Sequence, residues 1–451
     1  MKSFSQLSSL FLACCAIVLL SSCRVDDPVN TDLDITLNNR LDQASNGIGR
    51  EHYRLPDDGD LAAIPQDPNN QLTAPKVELG KMLFHETALG TRSKVAMGRG
   101  TYSCASCHHA AGGFQANRIQ GISEGGIGFG IAGEARTINP AYPVDSIDVQ
   151  QIRTPTALNV AYQELMLWGG QLGATGANQG TESQWTVGTP IETNNLGYHG
   201  VETQAIAGLK VHRMAIDSGL LSISQDYAAL FDAAFPNQAA AQRISRENAG
   251  LAVAAYERTL LPSQAPFQKW IRGEQDALSD QEKQGAILFF GKAQCYSCHN
   301  GPALNSMEFY ALGMADLQGP GTYQNDPTDA AHKGRGGFTG NTADMFKFKV
   351  PQLYNLKDSP FHGHGGNFNS IYDVIRYKNA GFPQASHVPS SQIADEFKPL
   401  GLTTNEVRDI AVFIERGLRD PNLYRLIPSA IPSGNCFPNN DIPSRYDLGC
   451  N

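Results

Sequence analysis

The first apolar stretch runs unbroken from Leu10 to Leu20, behind a single cation at Lys2. It is too short to cross a bilayer and has the proportions of an export signal. No later run approaches membrane length. Residues 24–75 are polar and interrupted by Pro28, Pro56, Pro65, Pro68 and Pro75, which predicts a tether and an extended lead-in. Helical spacing first shows from Val77 to Phe84. It returns over Glu247 to Leu261, where Leu251, Ala254, Ala255 and Arg258 share one face. Ser279-Asp280-Gln281-Glu282 has the form of an N-cap with its return partner, and predicts a helix reaching Phe290. Ser370 to Asn379 and Thr403 to Leu418 complete the predicted helices, and the glycine-rich Gly121 to Gly133 must be loop. Strands do not alternate with helices, so the predicted class is mainly α.

Composition narrows the picture. The chain has 451 residues, enough for two or three domains with cores of their own. Hydrophobic residues at 41% and charged residues at 18% exclude a disordered chain. The net charge of −9 argues against a nucleic-acid partner.

The nine cysteines fall into groups. Cys14, Cys15 and Cys23 belong to the export signal. Leu20-Ser21-Ser22-Cys23 resembles a bacterial lipoprotein cleavage box, which implies loss of residues 1–22 and a lipid on Cys23. An ordinary cleaved signal is the alternative. The lipid would be the protein's sole hold on a membrane, facing the periplasm, with outer-membrane or surface display left open. In that oxidising compartment Cys436 and Cys450 are expected to form a disulfide, closing a short loop beyond the last helix.

The remaining four cysteines carry the chemistry. Cys104-Ala105-Ser106-Cys107-His108 and Cys295-Tyr296-Ser297-Cys298-His299 are both C-x-x-C-H, the attachment signature of c-type haem. Two thiols at this spacing add to the two porphyrin vinyl groups, and the adjacent His binds the iron from beneath. A thioredoxin-like redox pair would leave the repeated His unexplained, and a zinc site would want its four ligands closer. The fold expected is therefore mainly α, with two cytochrome c-like domains that each hold one covalent haem.

Further pieces lie in order around these motifs. They are Leu79-Gly80-Lys81-Met82-Leu83-Phe84, Arg153-Thr154-Pro155-Thr156 with Leu158-Asn159, Leu167-Trp168-Gly169-Gly170, Thr189-Pro190-Ile191-Glu192, Tyr256-Glu257-Arg258-Thr259-Leu260, Pro351-Gln352-Leu353-Tyr354-Asn355 and Pro360-Phe361-His362. In this the chain resembles the bacterial dihaem cytochrome c peroxidases and their methylamine-utilisation relative, over about residues 76–420. The resemblance implies an N-terminal peroxidatic haem domain over 76–270, an electron-transfer haem domain over 271–420 and a C-terminal extension over 421–451, after a signal at 1–22 and a lead-in at 23–75. It implies reduction of hydrogen peroxide at the first haem, with electrons from a small cytochrome c or cupredoxin entering at the second. It makes His108 and His299 the proximal ligands, Glu192 the distal acid–base group and Trp168 the aromatic between the haems. His109 is read as a bystander, because the second motif has Asn300 at that place.

The chain also departs from the family pattern. No His lies between His109 and His199, so the first haem is expected to be five-coordinate without reductive activation, with His199 the fallback ligand. The late helix that carries Met or Tyr as sixth ligand of the second haem here offers Lys378, with Tyr377 beside it. Met307, Met314 and Met345 are outside candidates. The family commonly holds calcium between its domains through an Asn that follows the Arg of Arg-x-x-Pro-Thr. Arg153-Thr154-Pro155 is one residue shorter and lacks it, which puts calcium in doubt and leaves carbonyls near Ser359 and Pro360. Three functions compete: a peroxidase, an oxidase that modifies a protein or organic substrate through high-valent iron, and a non-enzymatic dihaem carrier. A homodimer is left open.

Overall fold

The computed structural model describes residues 31–450, apart from 217 and 218. The predicted signal and the lipid site at Cys23 lie outside them. The chain folds mainly as helices joined by long loops, with two two-stranded ribbons, Gly126–Ile127 with Thr137–Ile138 and Phe309–Tyr310 with Phe348–Lys349.

Two helical cores carry the fold. In the first, helix Ala74–His85 starts at Thr73, whose side chain accepts the Lys76 N–H, with Pro75 in the first turn. Its buried face of Leu79, Leu83 and Phe84 packs against Ala252, Val253 and Tyr256 of helix Arg246–Arg258. Helices Gly200–Val211 and Asp226–Ala234 close that core through Ile206, Leu209 and Phe231. In the second, helix Asp280–Phe289 crosses helix Thr404–Val412, which continues as one wide turn over Phe413–Gly417. Helix Ile371–Ala380 packs on the latter. Each fully buried Leu or Phe contributes roughly 1.5–3 kcal/mol.

The two cores repeat one device. A Cβ on Gly80 would lie 1.8 Å from the Ala252 carbonyl oxygen, and one on Gly285 would lie 2.0 Å from that of Asp409. Glycine is required at each crossing because backbone fills the space. Gly80-x-x-Leu83-Phe84 and Gly285-x-x-Leu288-Phe289 are thus equivalent helices, each leading to a haem motif.

The predicted helices are present within one to three residues, except that the regular Thr403 helix gives way at Phe413. Ser279 and Glu282 form a complete capping box. Ser279→Ala is expected to cost about 1 kcal/mol in chemical unfolding while haem content stays unchanged.

Two expectations are corrected. The lead-in is not simply extended: Thr31–Ala44 is a helix packed on Asp280–Phe289, with Leu37 and Leu41 fully buried. Its Asp34 pairs with Lys283 at 3.0 Å and accepts the Trp270 indole N–H at 2.7 Å. The Cys436–Cys450 disulfide is formed, but it encloses a further helix, Ile442–Asp447, rather than a bare loop. That tail packs on the first unit. Asp441 pairs with buried Arg136 at 3.4 Å, and Asp447 accepts the N–H groups of Phe129 and Gly130. The chain's beginning therefore braces the second haem motif's unit and its end braces the first.

Candidate functional site

Both C-x-x-C-H segments form a short helical turn downstream of a helix that carries a Phe in its last turn, Phe84 and Phe289. His108 Nδ1–H donates to the Phe114 carbonyl at 3.2 Å, and His299 Nδ1–H donates to those of Leu304 and Pro351 at 3.0 and 3.1 Å. Carbonyls only accept, so the tautomer is fixed and each Nε2 keeps its lone pair for a metal. Phe84 and Phe289 stand 6.5 Å from their respective His rings, at similar tilts of 57° and 50°. Burial pushes both imidazoles down to about 4, the neutral form that ligation needs. The four thiols are free. Two thiols, a neutral imidazole and a carbonyl that orients it fit a covalent haem in each unit.

The units meet in a second repeat. Residues 153–172 and 349–368 align without a gap, matching Pro155 with Pro351, Asn159 with Asn355, and Gly169-Gly170 with Gly365-Gly366. Asn159 and Asn355 both adopt the left-handed conformation, and their N–H groups bond the carbonyls of Leu260 and Leu418. Trp168 and His364 are equivalent in this register. The Arg153 N–H donates to the His364 carbonyl and the Lys349 N–H to the Trp168 carbonyl, both at 2.9 Å. The two segments thus cross about a local two-fold. At that crossing the rings of Trp168 and His364 meet edge to face, 6.3 Å apart. The Trp168 indole N–H donates to the Arg153 carbonyl at 2.8 Å. His364 stacks on Phe348 at 3.7 Å and reaches Asp316, which also receives His387 and faces His332. Among the described residues no such cluster has metal-holding geometry.

Glu192 lies in the turn Pro190–Leu196, which packs on helix Gly200–Val211. Its carboxylate pairs with Lys210 and accepts the Gly188 N–H at 2.7 Å. Both contacts hold its pKa below the usual carboxylate value. Two residues on, Asn194 ties the turn to the Trp168 loop, accepting the Gly173 N–H and donating to the Gln171 carbonyl, each at 2.9 Å. Among the described residues no hydrogen bond or ion pair joins Glu192 to His108.

Lys378 and Tyr377 separate. The Tyr377 hydroxyl donates to the Leu312 carbonyl at 2.6 Å, and its ring packs with Phe368 and Phe397. Successive helical residues point about 100° apart, so the Lys378 amine is left to the haem motif. Burial lowers its pKa, and the Cys298 and Cys295 thiols are the titratable groups beside it. The Tyr377 oxygen is bound into a satellite core.

Sequence reasoning missed a half-buried pair beside the first motif. His212 Nδ1 meets Asp148 Oδ2 at 2.7 Å, and Arg213 bridges Asp148 to Glu124. Only spatial proximity reveals it. His109 is buried against Phe129. His199 precedes helix Gly200–Val211, its backbone N–H held by Asp67.

Residues 74–276 match the family model described as di-haem cytochrome c peroxidase. A cytochrome-c peroxidase of Denitromonas iodatirespirans is 28% identical over 382 residues, which is 80% of this chain and 86% of its own. The methylamine utilization protein MauG of Methylorubrum extorquens is 28% identical over 362 residues, 80% of this chain and 82% of its own. Among solved structures, a MauG-like protein associated with microbial copper homeostasis matches with a TM-score of 0.58 at 23% identity, over 82% of this chain and 95% of that one, a likeness of fold. With a c-type haem motif in each of two equivalent units, the chain is similar to the di-haem cytochrome c peroxidase family, by its model over residues 74–276 and by its named relatives over about four fifths of the chain.

Proposed function

We propose that the protein reduces hydrogen peroxide to water at the haem held by His108, using electrons that a small cytochrome c or cupredoxin delivers to the haem held by His299. The observation that carries this reading is the Trp168–His364 contact, which places an oxidisable indole at the joint of the two units. Each turnover consumes two electrons and two protons and yields two waters. The haem, when bound, supplies the iron at which the O–O bond breaks and a ring that exchanges single electrons.

The chain's own groups do the rest. The carbonyls of Phe114, Leu304 and Pro351 hold both imidazoles by Nδ1 and leave Nε2 free to hold a haem. Lys378 would be the further residue that holds the second haem, which would fit that haem for electron transfer. No counterpart to Lys378 is assigned in the first unit, which fits it for peroxide. Glu192 moves a proton between the peroxide oxygens, and Trp168 passes electrons between the units. The competing oxidase reading gains from a phenolate ligand, and Tyr377 spends its hydroxyl on Leu312.

Export and lipid attachment at Cys23 are part of the proposal. The Cys436–Cys450 disulfide suits an oxidising compartment. Mass spectrometry of the membrane-extracted protein tests the lipid.

Stopped-flow mixing of the fully ferric protein with peroxide tests the core of the reading. Reaction without prior reduction, followed by steady turnover with a reduced donor, is the expected result. Inertness until one electron is added would overturn the open first site, and His199 or His212 would become the suspected cap. Trp168→Phe should slow electron arrival at the first haem, with haem content and reduction of the second haem unchanged. Equal rates in that variant would remove Trp168 from the route.

A further inference from the structure

We propose that the guanidinium of Arg153 is the cation of the joint between the two haem units, built into the chain in place of a bound metal ion. Four neutral oxygens converge on it. They are the carbonyls of Arg118 at 3.1 Å and Ala116 at 3.3 Å, Oε1 of Gln115 at 2.8 Å, and Oγ of Ser359 at 2.7 Å. The first three come from the loop after the first haem motif and the fourth from the second unit. Carbonyl, amide and hydroxyl oxygens gathered from several segments are what a hard divalent cation selects. Here the N–H fork already uses them, and Ser359, beside the carbonyls left for calcium, donates its own proton to Ala116.

Arg153 is 2% exposed, and no described carboxylate pairs with it. A buried guanidinium without an acid is costly unless its hydrogen bonds are satisfied. Its retention at a place held by neutral oxygens points to the charge itself being used. The Phe361 ring, 5.7 Å away, adds a weak attraction.

The device occurs twice. Lys349 is the equivalent of Arg153 in the repeat and is also buried. Its amine donates to Oε1 of Gln163 and to the Leu165 carbonyl, again with no described acid as partner. Gln163 and Ser359 hold equivalent positions, so each cation reaches into the opposite segment at the same register. Calcium does not fit this joint as the chain builds it. The main chain of Arg153 also carries Trp168 and His364. The cation and the inter-unit aromatic pair are therefore one assembly, and Arg153 is a positioning residue.

The test uses the dihaem holoprotein. After gel filtration, elemental analysis should find no stoichiometric calcium. Neither chelator nor millimolar calcium should move the Tm of the wild type. Arg153→Asn, which replaces the cation by an amide, should lower Tm in chelator by roughly 5 °C, and added calcium should recover part of that loss. Arg153→Lys keeps a charge and should stay indifferent to calcium. One calcium per wild-type chain whose removal lowers Tm would overturn the proposal, as would an Arg153→Asn protein as stable as wild type. If Arg153→Asn does not fold, the wild-type calcium measurement still decides. None of these readouts depends on peroxidase turnover, so they stand apart from the proposed function.

Discussion

Lys378→Met is expected to raise the reduction potential of the second haem by on the order of a tenth of a volt or more, within the range that axial ligands command. The helix that carries residue 378 is fixed at its start by Ser370, whose hydroxyl accepts the Asp373 N–H at 3.1 Å. Its Tyr377 face is committed to Phe368, Phe397 and the Leu312 carbonyl. The next residue must then point elsewhere, and Lys378 lies beside the thiols of Cys298 and Cys295. Those thiols become thioethers when haem attaches. Burial lowers the pKa of the amine and favours its uncharged, ligating form. A neutral amine donates strongly to ferric iron, whereas a thioether favours the ferrous state. Spectroelectrochemical titration should therefore show one potential rising and the other unmoved. Lys378→Ala should leave that iron open and add a high-spin ferric signal. If both variants titrate and absorb as wild type does, Lys378 is not the ligand.

Much of this arrangement is legible in the sequence, for reasons particular residues make plain. The haem sites are local: C-x-x-C-H brings both thiols and the imidazole together within one turn, whatever the rest of the chain does. Ser279 with Glu282 and Thr403 with Glu406 announce helix starts because the cap and its return bond are also local. Thr31–Ala44 is hidden because its apolar residues Leu33, Ile35, Leu37, Leu41 and Ala44 are scattered among polar ones, and Ile35 points to solvent. Trp270 and Lys283, far away in sequence, complete it. The choice between Tyr377 and Lys378 depended on what packs against each face of one helix, which no local pattern encodes. The repeat of 153–172 in 349–368 was there to be read. Only four identities in twenty positions support it, and its meaning lies in two hydrogen bonds that cross between the copies.

Glu192→Gln is expected to lower peroxidase turnover by about 10²- to 10⁴-fold, the usual contribution of a positioned acid–base group, with haem content and donor binding intact. Breaking the O–O bond requires a proton to pass from one peroxide oxygen to the other, and the amide keeps size and hydrogen bonding but cannot carry a proton. The surroundings of Glu192 add a pH test. The Lys210 ammonium and the Gly188 N–H stabilise the carboxylate and hold its pKa below the ordinary value. A group with a depressed pKa is ionised above that pKa and loses its charge as pH falls through it. The acid limb of kcat/KM should therefore lie below the usual carboxylate range in the wild type. Lys210→Met removes the ion pair, so the limb should move up toward the unperturbed Glu value of about 4.3, while turnover near neutrality is unchanged. The two variants together separate catalysis from surface chemistry. A carboxylate that merely pairs with Lys210 at the surface would leave Glu192→Gln turning over at the wild-type rate and the acid limb of Lys210→Met where it was. Either result would send the search for the proton carrier to the Asp148–His212 pair beside the first haem motif.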